Sequence, residues 1–158
     1  MNRLQLHQFI INRWKKNFPL NNPVTPVPKC QLDPVMELLD ENDNLFGFSP
    51  NVDEIFCRIF IQGGDSGLIG FGSGVKREYL SILKVQLFFP PEKADYSTRV
   101  LLAAHVESIY ANIINTEFSV TNYSYSDVGL VNIDNANSLF YQTSCTFFLE
   151  WRDMVNAS

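Results

Sequence analysis

Residues 79–115 read YLSILKVQLFFPPEKADYSTRVLLAAHVESIYANIIN, which is an apolar strand, a double-proline stop, a short polar turn and one amphipathic helix. Leu83, Val85, Leu87 and Phe89 fall on one face of a period-two strand, and Lys84 and Gln86 on the other. Pro90 and Pro91 end it, since neither can donate to a ladder. Ser97 is the expected N-cap of a helix over 98–114, its hydroxyl accepting an orphan backbone N–H. Leu102, Val106, Ile109 and Ile113 form the buried stripe of that helix, with Tyr110 alongside. Burying four such side chains contributes about 6 to 10 kcal/mol before conformational entropy is subtracted. The unit therefore belongs to a core.

The flanking sequence extends this pattern. A helix is expected over 3–18, with Leu6, Phe9, Ile10, Trp14 and the stem of Arg13 on one stripe, stopped by Pro19. Five prolines between 19 and 34 predict extended or looped chain. Asp33 followed by Pro34 allows a short helical turn over 34–39, and 40–53 is polar and turn-rich. Residues 54–62 predict a strand that is apolar on both faces: Ile55, Cys57, Ile59 and Ile61 on one, Phe56 and Phe60 on the other. The glycine-rich stretch 63–74, GGDSGLIGFGSG, is too long for a tight hairpin and reads as a flexible projecting loop. Two further strands are expected. Over 117–125, Phe118, Val120, Asn122 and Ser124 alternate against Ser119, Thr121, Tyr123 and Tyr125, and 138–151 is the longest strand. The order predicts a single α+β domain over 1–158, a mostly antiparallel sheet of about four to five strands with two main helices packed on it.

Composition excludes several functions. At 158 residues and 46% hydrophobic, the chain can bury one sizeable core and is too apolar for disorder. Charged residues are only 18%, so part of the surface is expected to be covered by copies of the chain or by a partner. A net charge of −5, with Arg3, Arg13, Lys15 and Lys16 as a small cluster on the first helix, argues against sequence-specific nucleic-acid recognition. Cys30, Cys57 and Cys145 are widely spaced, with no CxxC pair, which is a reduced, intracellular pattern. Neither a signal-peptide core nor an apolar run of the ~20 residues needed to span a bilayer is present, so no membrane role is expected.

The candidate chemistry fails on context. Gly64-Asp65-Ser66-Gly67 resembles the surroundings of a nucleophilic serine, but His7 and His105 both lie on helices and no triad framework exists around it. Residues 70–74, GFGSG, lead into a strand through Val75-Lys76-Arg77, whereas a phosphate cradle leads into a helix. Asp40, Asn42 and Asn44 open like a calcium loop, but Leu45 and Asn51 replace the required glycine and glutamate. No enzyme activity, catalytic residue, cofactor or metal is expected. Trp14 and Trp151 read as core or interface anchors.

Residues 53–115 resemble the phage tail terminator family, the small subunits that cap a long tail tube. The resemblance rests on the strand DEIFCRIFIQ, the glycine-rich loop, the basic pair Lys76-Arg77, the strand ILKVQLFFP and the long helix with Ala103 and Ala104. The opening helix with Trp14 and the closing strand FYQTSCTFFLEW sit where that family would have them, whereas Glu92-Lys93-Ala94-Asp95-Tyr96 replaces its usual glycines before the helix. The resemblance implies a structural virion protein, assembled in the host cytoplasm and residing in the tail. It implies a ring, expected as a hexamer, that stops tube polymerisation and meets the tail tube protein and a neck or head-completion protein. Within it, the loop carrying Gly63, Gly64, Asp65, Ser66, Leu68, Ile69 and Phe71, with Arg77 near its base, is the expected assembly contact, Phe71 being its apolar anchor. The alternatives are another neck or tail completion protein of related fold or, in a different class, a small cytosolic enzyme or ligand-binding domain.

Overall fold

A computed structural model describes residues 2–32, 53–63, 66–69, 76–111, 113, 117–133 and 139–154. The elements in chain order are α1 (Arg3–Asn17), β1 (Lys29–Leu32), β2 (Phe56–Gln62), β3 (Ser66–Ile69), β4 (Lys76–Phe89), α2 (Tyr96–Tyr110), β5 (Phe118–Asn132) and β6 (Leu139–Met154). The sheet runs β1-β2-β4-β6-β5, with β3 also on β4. It is antiparallel except where β1 lies parallel to β2. Because β2 pairs with 82–88 and β3 with 76–79 of the same strand, the sheet is five lanes wide and β3 continues the lane of β2. The fold is α+β.

Both helices cover one face. Leu6, Ile10 and Trp14 of α1, and Leu102, Val106 and Ile109 of α2, join Leu83, Val85, Leu87, Phe89, Cys145, Phe147, Leu149 and Trp151 in one core. Helix α1 starts at a reciprocal cap, in which Asn2 Oδ1 accepts the Gln5 N–H and Gln5 Oε1 accepts the Asn2 N–H, each at 2.8 Å. On the opposite face Phe56, Phe88, Ile133 and Phe140 form a second, smaller buried cluster. That cluster gives the two-sided apolar pattern of β2 its physical cause.

Several expectations are corrected. Helix α2 begins at Tyr96, not Thr98, because the Asp95 carboxylate takes the cap: it accepts the Thr98 N–H at 3.0 Å and the Thr98 hydroxyl at 2.8 Å. A carboxylate is a stronger acceptor than the Ser97 hydroxyl, and it sits well at the positive helix end. The helix stops at Tyr110, and the Ile113 carbonyl accepts the Val120 N–H at 3.1 Å, turning the chain back to the sheet. Lys29–Leu32 of the proline-rich stretch is strand, held by parallel pairing with β2. Ser66–Ile69 is not a loop but a strand on 76–79 of β4, a stretch whose other edge is already paired to β6. A pre-ordered neighbour outweighs the low strand preference of Gly67. Strand β5 runs to Asn132 and carries register shifts between Val120 and Asn122 and between Asp127 and Gly129. The helical turn over 34–39 and the calcium-like loop lie outside the described residues.

Candidate assembly surfaces

The expected contact residues divide between placed and undescribed. In the β3–β4 ladder Leu68 lies directly across from Arg77, and Ser66 across from Tyr79. Ile69 pairs with Lys76, so Ser66, Leu68, Ile69 and Arg77 share one hairpin. Gly63 follows β2 beside the start of α1, where an added Cβ would stand 3.6 Å from the Arg3 guanidinium. Gly64, Asp65 and Phe71 lie outside the described residues.

The hairpin borders an apolar surface on the face away from the helices. Side chains of β4 alternate, so Leu80 and Ile82 point opposite to the core row of Ser81 and Leu83. In the ladders Ile82 pairs with Gln62 on one side and Phe148 on the other, and Phe148 pairs with Asn122. Leu80 is 53% exposed and Phe148 37% exposed, and with Ile82 they line a shallow depression floored by sheet. The outer face thus has two halves. Around Phe56, Phe88 and Phe140 it is closed, with the Arg58 guanidinium 5.4 Å from the Phe88 ring centre. Around Leu80, Ile82 and Phe148 it is open.

A second concavity runs between α2 and β5. Its walls are Tyr96, Val100, Tyr123 and Tyr125, its floor Ala103 and Ala104, and Glu107 stands at one end, enclosing about 290 Å³. Strict alternation along 117–125 puts Phe118 and Val120 on the opposite face from Tyr123 and Tyr125. All four pack against the helix-side core instead. The extra residue between Val120 and Asn122 reverses the parity of the strand at that point.

The two histidines weighed for catalysis are both engaged within the fold. His7 is buried on α1, and His105 Nε2 lies 2.8 Å from the Phe18 carbonyl with its ring against Phe18. All three cysteines are buried and none forms a disulfide with another, and burial pushes the Cys145 thiol up to about 12 and Cys57 further still. Among the described residues no three His, Cys, Asp or Glu side chains gather to hold a metal ion. No described helix is long and apolar enough to cross a membrane.

No protein-family model matches the chain, and no curated protein matches it. Solved structures do. One chain, bearing no functional name, superposes with a TM-score of 0.54 at 12% identity, covering 94% of this chain and 97% of its own. At that identity the likeness is one of fold. It extends over almost the full length of both chains, so the arrangement of two helices on this sheet recurs in a distant sequence.

Proposed function

We propose that this chain is a structural subunit of the phage tail terminator kind, forming a ring that caps the tail tube, ends its polymerisation and joins the tail to the neck. The observation that carries the reading is the open apolar half of the outer sheet face, Leu80, Ile82 and Phe148, bordered by the β3–β4 hairpin. Contiguous exposed apolar surface on a small domain marks an interaction site, and a stable contact would bury about 800 Å² per partner. A closed ring needs two different, complementary patches on each subunit. In this reading the hairpin edge and the outer face would serve as the two patches, and the low charge content of 18% is in keeping with a chain that buries surface in an assembly.

Two measurements test this. Size-exclusion chromatography with light scattering is expected to give a ring of about six subunits, on its own or on addition of tail tube protein. Negative-stain images of particles made without this chain are expected to show overlong, unattached tails. Tails of normal length would overturn the terminator role and favour another neck or tail completion protein. For the hairpin, replacing residues 69–74 by a short neutral linker is expected to abolish ring closure or tail joining. Intact joining would remove the hairpin from the contact.

A further inference from the structure

Helix α2 and the edge strand β5 enclose a groove with a chemistry of its own. Along α2, Tyr96, Val100, Ala103, Ala104 and Glu107 recur at three- and four-residue spacing and so present one stripe. The two alanines leave the space that longer side chains would fill, and Tyr123 and Tyr125 close the far wall. Glu107 is exposed, and its carboxylate has no ion-pair or hydrogen-bond partner among the described residues. Its charge nevertheless reaches the groove: it adds to the upward shifts of Tyr123 and Cys145, both caused mainly by burial. Tyr123 is half-buried, its ring centre 4.9 Å from that of Phe147, and it lines the groove.

The chain contains a worked example of what such a setting holds. Two helical turns before Glu107, the Arg99 guanidinium lies 4.3 Å from the Tyr141 ring centre and 5.7 Å from that of Tyr96. It donates to Asp127 Oδ1 at 3.0 Å, and the Tyr125 hydroxyl donates to the same carboxylate oxygen at 2.9 Å. Aromatic faces beside one carboxylate are satisfied there by an arginine. At Glu107 the faces and the carboxylate are present, and the described residues supply no cation.

We propose that the α2–β5 groove is a docking site for an arginine side chain presented by a different polypeptide, its stem over Ala103 and Ala104, its guanidinium against Tyr123 and paired to Glu107. Charge complementarity selects this occupant: a planar guanidinium stacks on a ring and pairs with a carboxylate at the same time, which a lysine ammonium does less well. The site is independent of the tail-end reading and would serve any partner carrying an exposed arginine.

The test uses the full chain and a capped Gly-Arg-Gly peptide, with the citrulline peptide as its uncharged isostere. Titration followed by NMR is expected to shift the methyl signals of Ala103 and Ala104 and the ring signals of Tyr123 saturably, with a dissociation constant on the order of millimolar. The citrulline peptide, and the Arg peptide on Glu107→Gln, are each expected to bind about tenfold more weakly. Ala104→Phe, at an exposed position, is expected to block the groove while the remaining spectrum stays native. Equal binding of the citrulline peptide, or shifts confined to other surfaces, would overturn the proposal. So would concentration-dependent self-association that protects these signals without peptide, because the occupant would then be a second copy.

Discussion

The Tyr110 hydroxyl donates to the backbone carbonyl of Ile10 at 2.7 Å, joining the last residue of α2 to the middle of α1 inside the core. The tie is matched in the other direction by Arg13, whose Nε donates to the Ile109 carbonyl. Trp14 stacks against the same tyrosine, with ring centres 6.3 Å apart. The two helices are therefore fixed to each other as well as to the sheet. Tyr110→Phe keeps the ring and loses the hydrogen bond, and is expected to cost about 1 kcal/mol. Urea unfolding should show a lower midpoint at unchanged slope. An unchanged midpoint would mean that water replaces the hydroxyl.

Trp151 makes a comparable contact within the sheet. Its indole N–H donates to Ser81 Oγ at 3.1 Å, both side chains being buried, while its ring stacks on Tyr79 at 4.1 Å. Ser81→Ala leaves a buried donor without a partner, which costs about 1 to 3 kcal/mol. Thermal unfolding is expected at lower temperature, together with a changed tryptophan emission in the folded state.

Thr143 shows the opposite situation. Its side chain is fully buried, and its hydroxyl oxygen has no hydrogen-bond partner among the described residues. Thr143→Val preserves the shape and removes that group, so the variant is expected to be more stable by about 1 kcal/mol. A loss of stability in chemical denaturation would show that the hydroxyl is satisfied by water.

The buried thiols and phenols define the alkaline limit. Burial raises Cys57 and Cys145 above the ordinary 9.0, Cys145 to about 12. Burial likewise holds Tyr110 well above 10.0, and burial with the Asp127 hydrogen bond lifts Tyr125 to about 12. Each group keeps its proton longer when folded, so the unfolded chain binds fewer protons above the ordinary values. Their contribution is complete below pH 9 and is lost as pH rises beyond 9 to 10. Urea midpoints are expected to be unaffected by these groups between pH 7 and 8.5 and to fall steeply by about pH 10.5. Thiol titration with an aromatic disulfide should find the native cysteines unreactive at pH 8 and three reactive after denaturation.

Much of the helix-side core was legible in advance because its signals are local. The alternation of Leu83, Val85, Leu87 and Phe89 and the stripe of Leu6, Ile10 and Trp14 lie within single elements, and all seven are buried. The β5 face could not be read that way. One extra residue between Val120 and Asn122 turns Tyr123 and Tyr125 toward α2, and only pairing with β6 determines where that residue sits. The strand character of Ser66–Ile69 was likewise hidden, since its glycine argues against a strand until β4 offers an edge.

Residue periodicity by itself determined the class of this protein, helices on a mostly antiparallel sheet, because a buried stripe and an alternating face are properties of short segments. The tertiary structure decided which surfaces meet. Leu80 and Phe148 lie on strands separated by a helix and a further strand, and become neighbours through the β4–β6 ladder. Glu107 and Tyr123 converge because β5 returns beneath α2. Contacts between distant segments depend on register and crossover, and no spacing within one segment encodes either.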